Sequence, residues 1–316
     1  MIEAMVAERR IPRPHRPVRD PSKLRPIDRE VNDAIARHAA AGSWFEAGGV
    51  RSFVRRQGEG ADVVLLHGVP TSSFLYRKVV AALADEGVRA NAFDFPGLGL
   101  AERPEGFDYS WSGLASWTGE AIDALGIGQC HLVVHDIGGP IGFEWAIRNP
   151  DRVLSITALN TFVDVASFQR PWPMAPFARR GLGELWLRGT PRVYVARLFY
   201  AIGIARRELV PRSDVYAHVA LLRMHDRGRA FLRIMRSFEL TEEKERFLRE
   251  GLAGLDVPTR VVWGERDPVF GREHYDAVRE ALGADDGYLL PAKHFPQEDY
   301  PTEVAQAIAD LVAPLG

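Results

Sequence analysis

Short, mostly apolar runs alternate with helix-length segments along most of the chain. Runs this continuous predict strands that are buried on both faces, as in a parallel sheet. We expect six such strands, over residues 63–66, 90–94, 132–134, 154–159, 260–263 and 287–290. Helices are expected over residues 30–40, 73–86, 111–125, 139–148 and 272–282. The alternation is typical of a doubly wound α/β fold with a mostly parallel central sheet flanked by helices.

The alternation stops between the fourth and fifth strands. Residues 168–250 carry helical patterns broken by five prolines, and no strand pattern. We therefore expect a core domain formed by residues 29–162 and 251–316, interrupted by an inserted helical cap over residues 163–250. Residues 1–28, rich in proline and arginine, are expected to form an irregular arm.

Charge separates these regions, although the whole chain has a formal net charge of only −2. The predicted cap holds 17 basic and 10 acidic side chains, a net charge of +7. The near-neutral total gives no reason to expect a nucleic-acid partner. No apolar run approaches the ~18 residues of a membrane span, so no membrane partner is expected either. The oligomeric state stays open.

The single cysteine, Cys130, cannot form an internal disulfide. This favours a reducing compartment, and together with the lack of an apolar secretory signal in the first twenty residues it predicts a cytoplasmic protein. We expect Cys130 to be a small residue of the core.

A turn between the third strand and the next helix carries the first candidate for chemistry. There, Asp136 lies between His135 and Ile137, and Gly138 and Gly139 come directly after Ile137. Small residues around one polar residue at a strand-to-helix turn describe a nucleophile elbow, which exposes that side chain above the sheet. The elbow is usually built around serine. Asp136 in that position predicts a carboxylate nucleophile, and a helix N-cap is the alternative interpretation.

Two more polar residues follow later strands. Asp267 comes just after the fifth strand, and His294 comes after the sixth. The order nucleophile, acid, histidine is that of α/β-hydrolase triads. We therefore predict a triad of Asp136, His294 and Asp267, in which Asp267 orients His294 as the base.

The loop after the first strand predicts an oxyanion hole. Its backbone N–H at Val69, together with that of Ile137, can point at the reaction centre. His67 and His135 are expected to be structural hydrogen-bonding residues.

Four stretches resemble one family: residues 67–77, 94–99, 134–139 and 294–299. The sequence is similar to the α/β-hydrolase branch that contains haloalkane dehalogenases, epoxide hydrolases and fluoroacetate dehalogenases, over residues 45–310 and most weakly in the cap. The run at 71–77 and Val134 resemble haloalkane dehalogenases more than epoxide hydrolases. Asn160 together with Asp267 resembles the dehalogenases whose acid comes late in the chain.

The resemblance implies hydrolysis of small apolar substrates through an ester on Asp136, with water as second substrate and neither metal nor organic cofactor. We expect a reaction like that of haloalkane dehalogenases. Epoxide hydrolysis is the second interpretation, and a non-hydrolytic, ligand-binding protein of the same fold is the third.

The residues that would bind the leaving group depart from the family pattern. Ile137 stands where dehalogenases carry tryptophan, and Val69 stands where they carry a polar side chain. Trp172 and Trp186 of the predicted cap could replace these donors, although we expect both to be buried in packing. Epoxide hydrolases use two cap tyrosines at positions that Val195 and Leu232 occupy here, with Tyr194 one residue away.

Overall fold

The computed structural model describes residues 24–285 and 287–313. Its centre is one eight-stranded sheet with the strand order β1-β2-β4-β3-β5-β6-β7-β8. The strands are β1 Ser43–Ala47, β2 Val50–Gln57, β3 Asp62–Leu66, β4 Arg89–Phe93, β5 Cys130–His135, β6 Val153–Leu159, β7 Thr259–Gly264 and β8 Gly287–Leu290. Strands β3 to β8 pair in parallel, whereas β2 is antiparallel to both of its neighbours. The predicted α/β fold with a mostly parallel sheet is confirmed.

Twelve α-helices accompany the strands in the described residues. They are α1 Pro26–Ala40, α2 Arg77–Asp85, α3 Trp111–Ala124, α4 Gly138–Arg148, α5 Leu182–Gly189, α6 Arg192–Gly203, α7 Arg212–Arg227, α8 Arg229–Arg236, α9 Glu242–Ala253, α10 Arg272–Leu282, α11 Pro296–Asp299 and α12 Pro301–Val312. Helices α2 and α12 contribute to the apolar cluster on one face of the sheet, and α3, α4, α9 and α10 to the cluster on the other. Both faces of the central strands are therefore covered, which accounts for their continuous apolar sequences.

Helices α5 to α9 all lie between β6 and β7 in the chain, and no strand occurs among the described residues of that stretch. Helix α7 contains a kink, where Met224 and His225 leave helical geometry. This helical segment leaves the sheet at the carboxyl end of β6, beside the loops that follow the other parallel strands, and returns to the opposite edge, where β7 begins.

All six predicted strands are present, each within two residues of its expected bounds. The hairpin of β1 and β2 was not predicted, because its two strands mix charged with apolar residues. Helix α1 begins at Pro26, earlier than expected, and proline suits the first turn of a helix. The arm predicted over residues 1–28 lies outside the described residues except for its last five.

Cys130 begins β5 and is fully buried, as expected of a core residue. Burial raises the pKa of its thiol to about 12. Within the described residues, no helix combines the length and the apolar character that crossing a lipid bilayer requires.

Candidate active site

Asp136 occupies the sharp turn between β5 and α4. Its φ of 53° lies in the left-handed region, which a non-glycine residue rarely adopts. Neighbouring groups hold it there: its N–H donates to the carbonyl of Asn160 at 3.0 Å, and the Thr161 hydroxyl donates to its own carbonyl at 2.6 Å. The turn raises the side chain of Asp136 above the edge where the strands end, as the sequence predicts.

Glycine at 138 allows this turn. A Cβ there would come within 2.6 and 2.7 Å of the carbonyl oxygens of Leu66 and His67. The start of α4 therefore passes closer to β3 than any other residue would permit.

Backbone amides face the Asp136 carboxylate. The N–H of Val69 donates to Oδ1 at 2.7 Å, and the N–H of Ile137 also interacts with the carboxylate. These are the two amides predicted to form the oxyanion hole, and the structure brings both to the Asp136 carboxylate.

His294 and Asp267 form the other half of the site. The Nδ1 of His294 lies 2.9 Å from Oδ2 of Asp267. Asp267 is also fixed by two donors, the side-chain amide of Asn160 at 2.7 Å and the N–H of Val269 at 2.7 Å. Because a carboxylate only accepts hydrogen bonds, the Nδ1 of His294 carries the proton.

The Nε2 of neutral His294 then has a free lone pair, and it faces Asp136. Nε2 lies 3.7 Å from Oδ2 of Asp136, beyond hydrogen-bond distance. The two oxygens of Asp136 thus have different surroundings, with the amide of Val69 at Oδ1 and the imidazole near Oδ2. The structure assembles the three residues predicted as a triad at this one edge of the sheet.

Burial dominates the electrostatics of the site. It raises the pKa of Asp136 to about 6, although His294 and the two amides partly oppose this. Burial alone would lower the pKa of His294, but the carboxylates of Asp267 and, to a smaller extent, Asp136 outweigh it and the net pKa is raised. Protonated His294 is therefore stabilised by Asp267, which is the arrangement a general base needs.

His67 and His135 act through hydrogen bonds to the backbone. His67 Nδ1 lies 2.9 Å from the carbonyl of Gly68, and its Nε2 accepts from the N–H of Phe95 at 3.1 Å. His135 Nε2 lies 2.8 Å from the carbonyl of His294. Burial lowers the pKa of both imidazoles, to about 4 for His67. The structural role expected for these two residues agrees with their contacts.

A cavity of about 760 Å³ opens above Asp136 and His294. Its walls come from both sides: the loops after β3, β5 and β6 on one, and the helical segment on the other. The walls are mostly apolar, and include Phe162, Phe168 and Met235. Such a cavity suits an apolar molecule of small to moderate size.

Trp172, Trp186 and Tyr194 all line this cavity. The expectation that both tryptophans are buried is wrong, because Trp172 is 76% and Trp186 is 36% exposed. Tyr194 is 59% exposed. A side chain that lines a cavity and is also exposed lies where the cavity meets solvent, so these three residues stand at its opening.

Sequence reasoning missed two arginines of the cavity wall. Arg170 donates to the carbonyl of Met235 at 3.0 Å, and Arg223 donates to the carbonyl of Leu187 at 2.8 Å. Among the described residues neither has a carboxylate partner, and burial lowers the pKa of both. The sequence could not single them out, because residues 163–250 contain many other arginines.

Thr161 was also missed, although a signal for it exists. It follows Asn160 directly after β6, and β6 is the sheet neighbour of β5.

Within residues 24–285 and 287–313, no cluster of three or more histidine, cysteine, aspartate or glutamate side chains is suited to holding a metal ion.

Comparison with known proteins gives the family. The family model for the α/β-hydrolase fold matches residues 63–199. Haloalkane dehalogenase 2 of Mycobacterium tuberculosis is 33% identical over 277 residues, which cover 84% of this chain and 93% of that protein. A haloalkane dehalogenase of Mycolicibacterium paratuberculosis is 30% identical, over 79% of this chain and 83% of that protein.

Solved structures share the fold. An epoxide hydrolase of Bacillus megaterium superposes with a TM-score of 0.71 and 24% identity, covering 86% of this chain and 100% of that chain. An epoxide hydrolase of Vigna radiata superposes with a TM-score of 0.70 and 20% identity, over 86% of this chain and 97% of that chain. From the sequence relatives and the shared fold together, the chain belongs to the α/β-hydrolase branch of haloalkane dehalogenases and epoxide hydrolases.

Proposed function

We propose that this hydrolase acts on small apolar substrates through a covalent ester on Asp136, and that it cleaves carbon–halogen bonds. One observation carries the proposal: the two oxygens of the Asp136 carboxylate have different partners. Oδ1 accepts from the N–H of Val69 at 2.7 Å, while Oδ2 lies 3.7 Å from Nε2 of His294, which lines the cavity together with Asp136.

The first step is an attack of Oδ2 on a saturated carbon of the substrate. A new carbon–oxygen bond forms, the carbon–halogen bond breaks, and the halide leaves with the electron pair. No base is needed, since an ionised carboxylate is already nucleophilic. The product is an alkyl ester of Asp136 whose remaining carbonyl oxygen, Oδ1, stays beside the amides of Val69 and Ile137.

The second step hydrolyses this ester. Nε2 of His294 takes a proton from water, whose oxygen attacks the carboxyl carbon of Asp136. Negative charge develops on Oδ1, where the two amides stabilise it. Collapse expels the alkoxide, which receives the proton from His294 and leaves as an alcohol. Asp267 stabilises the imidazolium in between.

The helical segment serves as a cap in this proposal, over residues 163–250. Its side chains supply much of the cavity wall, including Phe168, Met174 and Phe231. An apolar wall excludes water from the ester and selects apolar substrates. We further propose a cytoplasmic location, because the single cysteine of the chain fits a reducing compartment.

The leaving group distinguishes halogenated alkanes from epoxides. An opened epoxide needs a proton donor, and Tyr194 is the only tyrosine among the described residues that line the cavity. A halide needs N–H donors or a cation, for which the indoles of Trp172 and Trp186 and the guanidinium of Arg170 are available on the wall. The identity of 33% to a haloalkane dehalogenase also supports the halide. Epoxide hydrolysis is the alternative.

Isotope labelling tests the proposal. In a single turnover in ¹⁸O water, the alcohol should carry unlabelled oxygen from Asp136, and the peptide containing Asp136 should gain the label. Bromoalkanes that release bromide with this pattern support the dehalogenase, and the pattern with epoxides alone supports the alternative. Label that appears directly in the alcohol, or no turnover of either class, would overturn the ester mechanism.

A further inference from the structure

Helix α5 displays an apolar face to solvent. Leu182, Leu185 and Trp186 are 43%, 69% and 36% exposed, and their spacing of three and four residues puts them on one side of the helix. The residues buried in this helix are Gly183 and Leu187. Helix α5 is therefore apolar on both sides, whereas a surface helix normally turns polar residues outward.

Two aromatic residues outside α5 extend this face. Trp172 is 76% and Tyr194 is 59% exposed. All five side chains line the cavity above Asp136, so together they surround its opening. We call this set the mouth patch: Trp172, Leu182, Leu185, Trp186 and Tyr194. Contiguous exposed apolar side chains of this kind mark a surface that binds something.

Positive charge adjoins the mouth patch along the chain. Residues 165–205 contain six arginines and a single acidic residue, Glu184. Glu184 is already paired with Arg236 at 2.8 Å. Four of the arginines are exposed and have no carboxylate partner among the described residues: Arg179, Arg180, Arg188 and Arg197. An occupant of the mouth patch therefore meets apolar side chains next to segments that carry uncompensated positive charge.

We propose that the mouth patch docks on the surface of a membrane rich in anionic phospholipid. Leucine and tryptophan side chains partition into the boundary between headgroups and acyl chains, and tryptophan and tyrosine favour that level. Each arginine beside the patch adds an electrostatic attraction to anionic lipid. Apolar residues and unpaired arginines occur together here, and this combination matches a lipid surface better than an apolar partner.

A second copy of the chain fits this surface poorly. In a two-fold dimer the same patch faces itself, so the arginines of one copy would approach those of the other. Like charges at such an interface are repulsive, and no acidic side chain in residues 165–205 other than the paired Glu184 is available to compensate them.

Docking of this kind is peripheral. Eight residues of helix extend about 12 Å, which is enough to lie in the headgroup plane and too short to cross a bilayer. No membrane partner was expected, because the sequence has no apolar run long enough to span a bilayer. Docking on the surface of a membrane needs no such run. The cytoplasmic leaflet carries the anionic lipid that the arginines require.

The position of the patch has a consequence for the substrate, which rests on the proposed function. The opening that leads to Asp136 would face the lipid. Apolar substrates concentrate in a bilayer by partitioning, so the enzyme would take them from the membrane rather than from water. The docking itself requires no turnover and is tested without substrate.

Sedimentation with vesicles tests the docking. The full chain is mixed with vesicles of phosphatidylglycerol and phosphatidylcholine in equal parts, and with vesicles of phosphatidylcholine alone. We expect binding to the anionic vesicles at least about tenfold tighter, weakening in high salt. The substitution Leu185→Glu should reduce this binding about tenfold, since it puts a charge in the apolar face.

The matched control is Leu209→Glu, which changes a leucine that is 44% exposed in the same helical segment but outside the mouth patch. Its binding should equal that of the wild type, and thermal unfolding should show both variants folded. Absence of vesicle binding, or equal loss in both variants, would overturn the proposal. So would a dimer in lipid-free solution that Leu185→Glu dissociates, because a second copy would then cover the patch. Vesicle binding by a chain that hydrolyses nothing would reject the proposed function and leave the docking standing.

Discussion

The carboxylate of Glu298 accepts two hydrogen bonds from the guanidinium of Arg77, at 2.5 and 2.9 Å. The same carboxylate lies 2.8 Å from Nε2 of His218, and Arg77 also pairs with Asp214 at 2.6 Å. Glu298 lies in α11, four residues beyond His294, while Arg77 begins α2 and the other two residues belong to α7. One buried ion cluster thus joins α11, which closely follows His294, to α2 and to α7 of the helical segment.

Substituting Glu298→Gln should lower the free energy of unfolding by about 3–5 kcal/mol, because Arg77 would stay buried without its main partner. Urea unfolding at pH 7 measures this. Glu303→Gln, on the exposed side of α12, is the control and should change little. A loss under about 1 kcal/mol for Glu298→Gln would show that the cluster contributes little to stability.

The same glutamate governs stability in acid. Burial alone would raise the pKa of Glu298, but Arg77 and His218 outweigh it and hold the pKa well below its usual range. The folded state therefore binds this proton less tightly than the unfolded chain. The stabilisation is fully present above the ordinary glutamate pKa and is lost as pH falls below it.

Asp136→Asn should abolish turnover while leaving the protein folded. Asparagine tolerates the left-handed φ of this position and can still accept from the N–H of Val69. Because burial raises the pKa of Asp136 from 3.8 to about 6, ionising it costs stability as pH rises through that interval. At pH 8 the free energy of unfolding of the variant, measured with urea, should therefore equal that of the wild type or exceed it by up to ~3 kcal/mol. A folded variant with full activity would rule out Asp136 as the nucleophile.

His294→Gln should trap the ester. Attack by Asp136 needs no base, so the variant should still release one equivalent of halide and then stop. Intact mass spectrometry should show protein heavier by the alkyl group, located on the peptide of Asp136. The control, His274→Gln in α10, should turn over normally. Unmodified protein after exposure to a proven substrate would contradict the two-step scheme.

The two steps should respond to pH through different groups. Attack requires ionised Asp136, so kcat/KM should fall about tenfold per pH unit below its pKa of about 6. Ester hydrolysis requires neutral His294, whose pKa Asp267 raises, so the decay of the ester should still be accelerating above pH 6.5. Stopped-flow halide release and ester decay separate the steps. A decay rate that falls between pH 6 and 8 would exclude His294 as the base.

Gly68→Ala should impair catalysis without unfolding the core. A Cβ at this position would overlap the carboxylate of Asp136 and displace it from the N–H of Val69. Losing one preorganised donor of this type costs about 100-fold in kcat. The control is Gly106→Ala, since a Cβ there meets no atom within 4 Å. Equal activity of the two variants would show that the Val69 amide has no part in the reaction.

Much of this architecture was predictable because buried parallel strands leave continuous apolar runs in the sequence. Residues that follow such runs converge at one edge of the sheet, which is why Asp136, Asp267 and His294 could be picked out before their distances were known. The hairpin of β1 and β2 was not predicted, because these antiparallel strands mix charged with apolar residues and leave no continuous apolar run. Its only sequence signal is the pair of glycines at 48 and 49.

The helical segment was predictable in kind and not in detail. Trp172 and Trp186 were expected in the interior because tryptophan usually is buried. The exposure of Trp186 depends on how α5 lies on its neighbours, and that of Trp172 on the loop before α5. No local sequence pattern records either arrangement. The same holds for Arg170 and Arg223, whose positions on the cavity wall follow from tertiary contacts with carbonyl groups.

Cys130 has a practical consequence for all of these experiments. As the chain's one cysteine, buried and with a thiol pKa near 12, it should not react with maleimides under native conditions. A cysteine introduced at Leu185 or Leu209 would then be the sole site of attachment for a polarity-sensitive fluorophore or a spin label. No native cysteine therefore has to be removed before labelling, and the depth of a single labelled position in a bilayer can be measured directly.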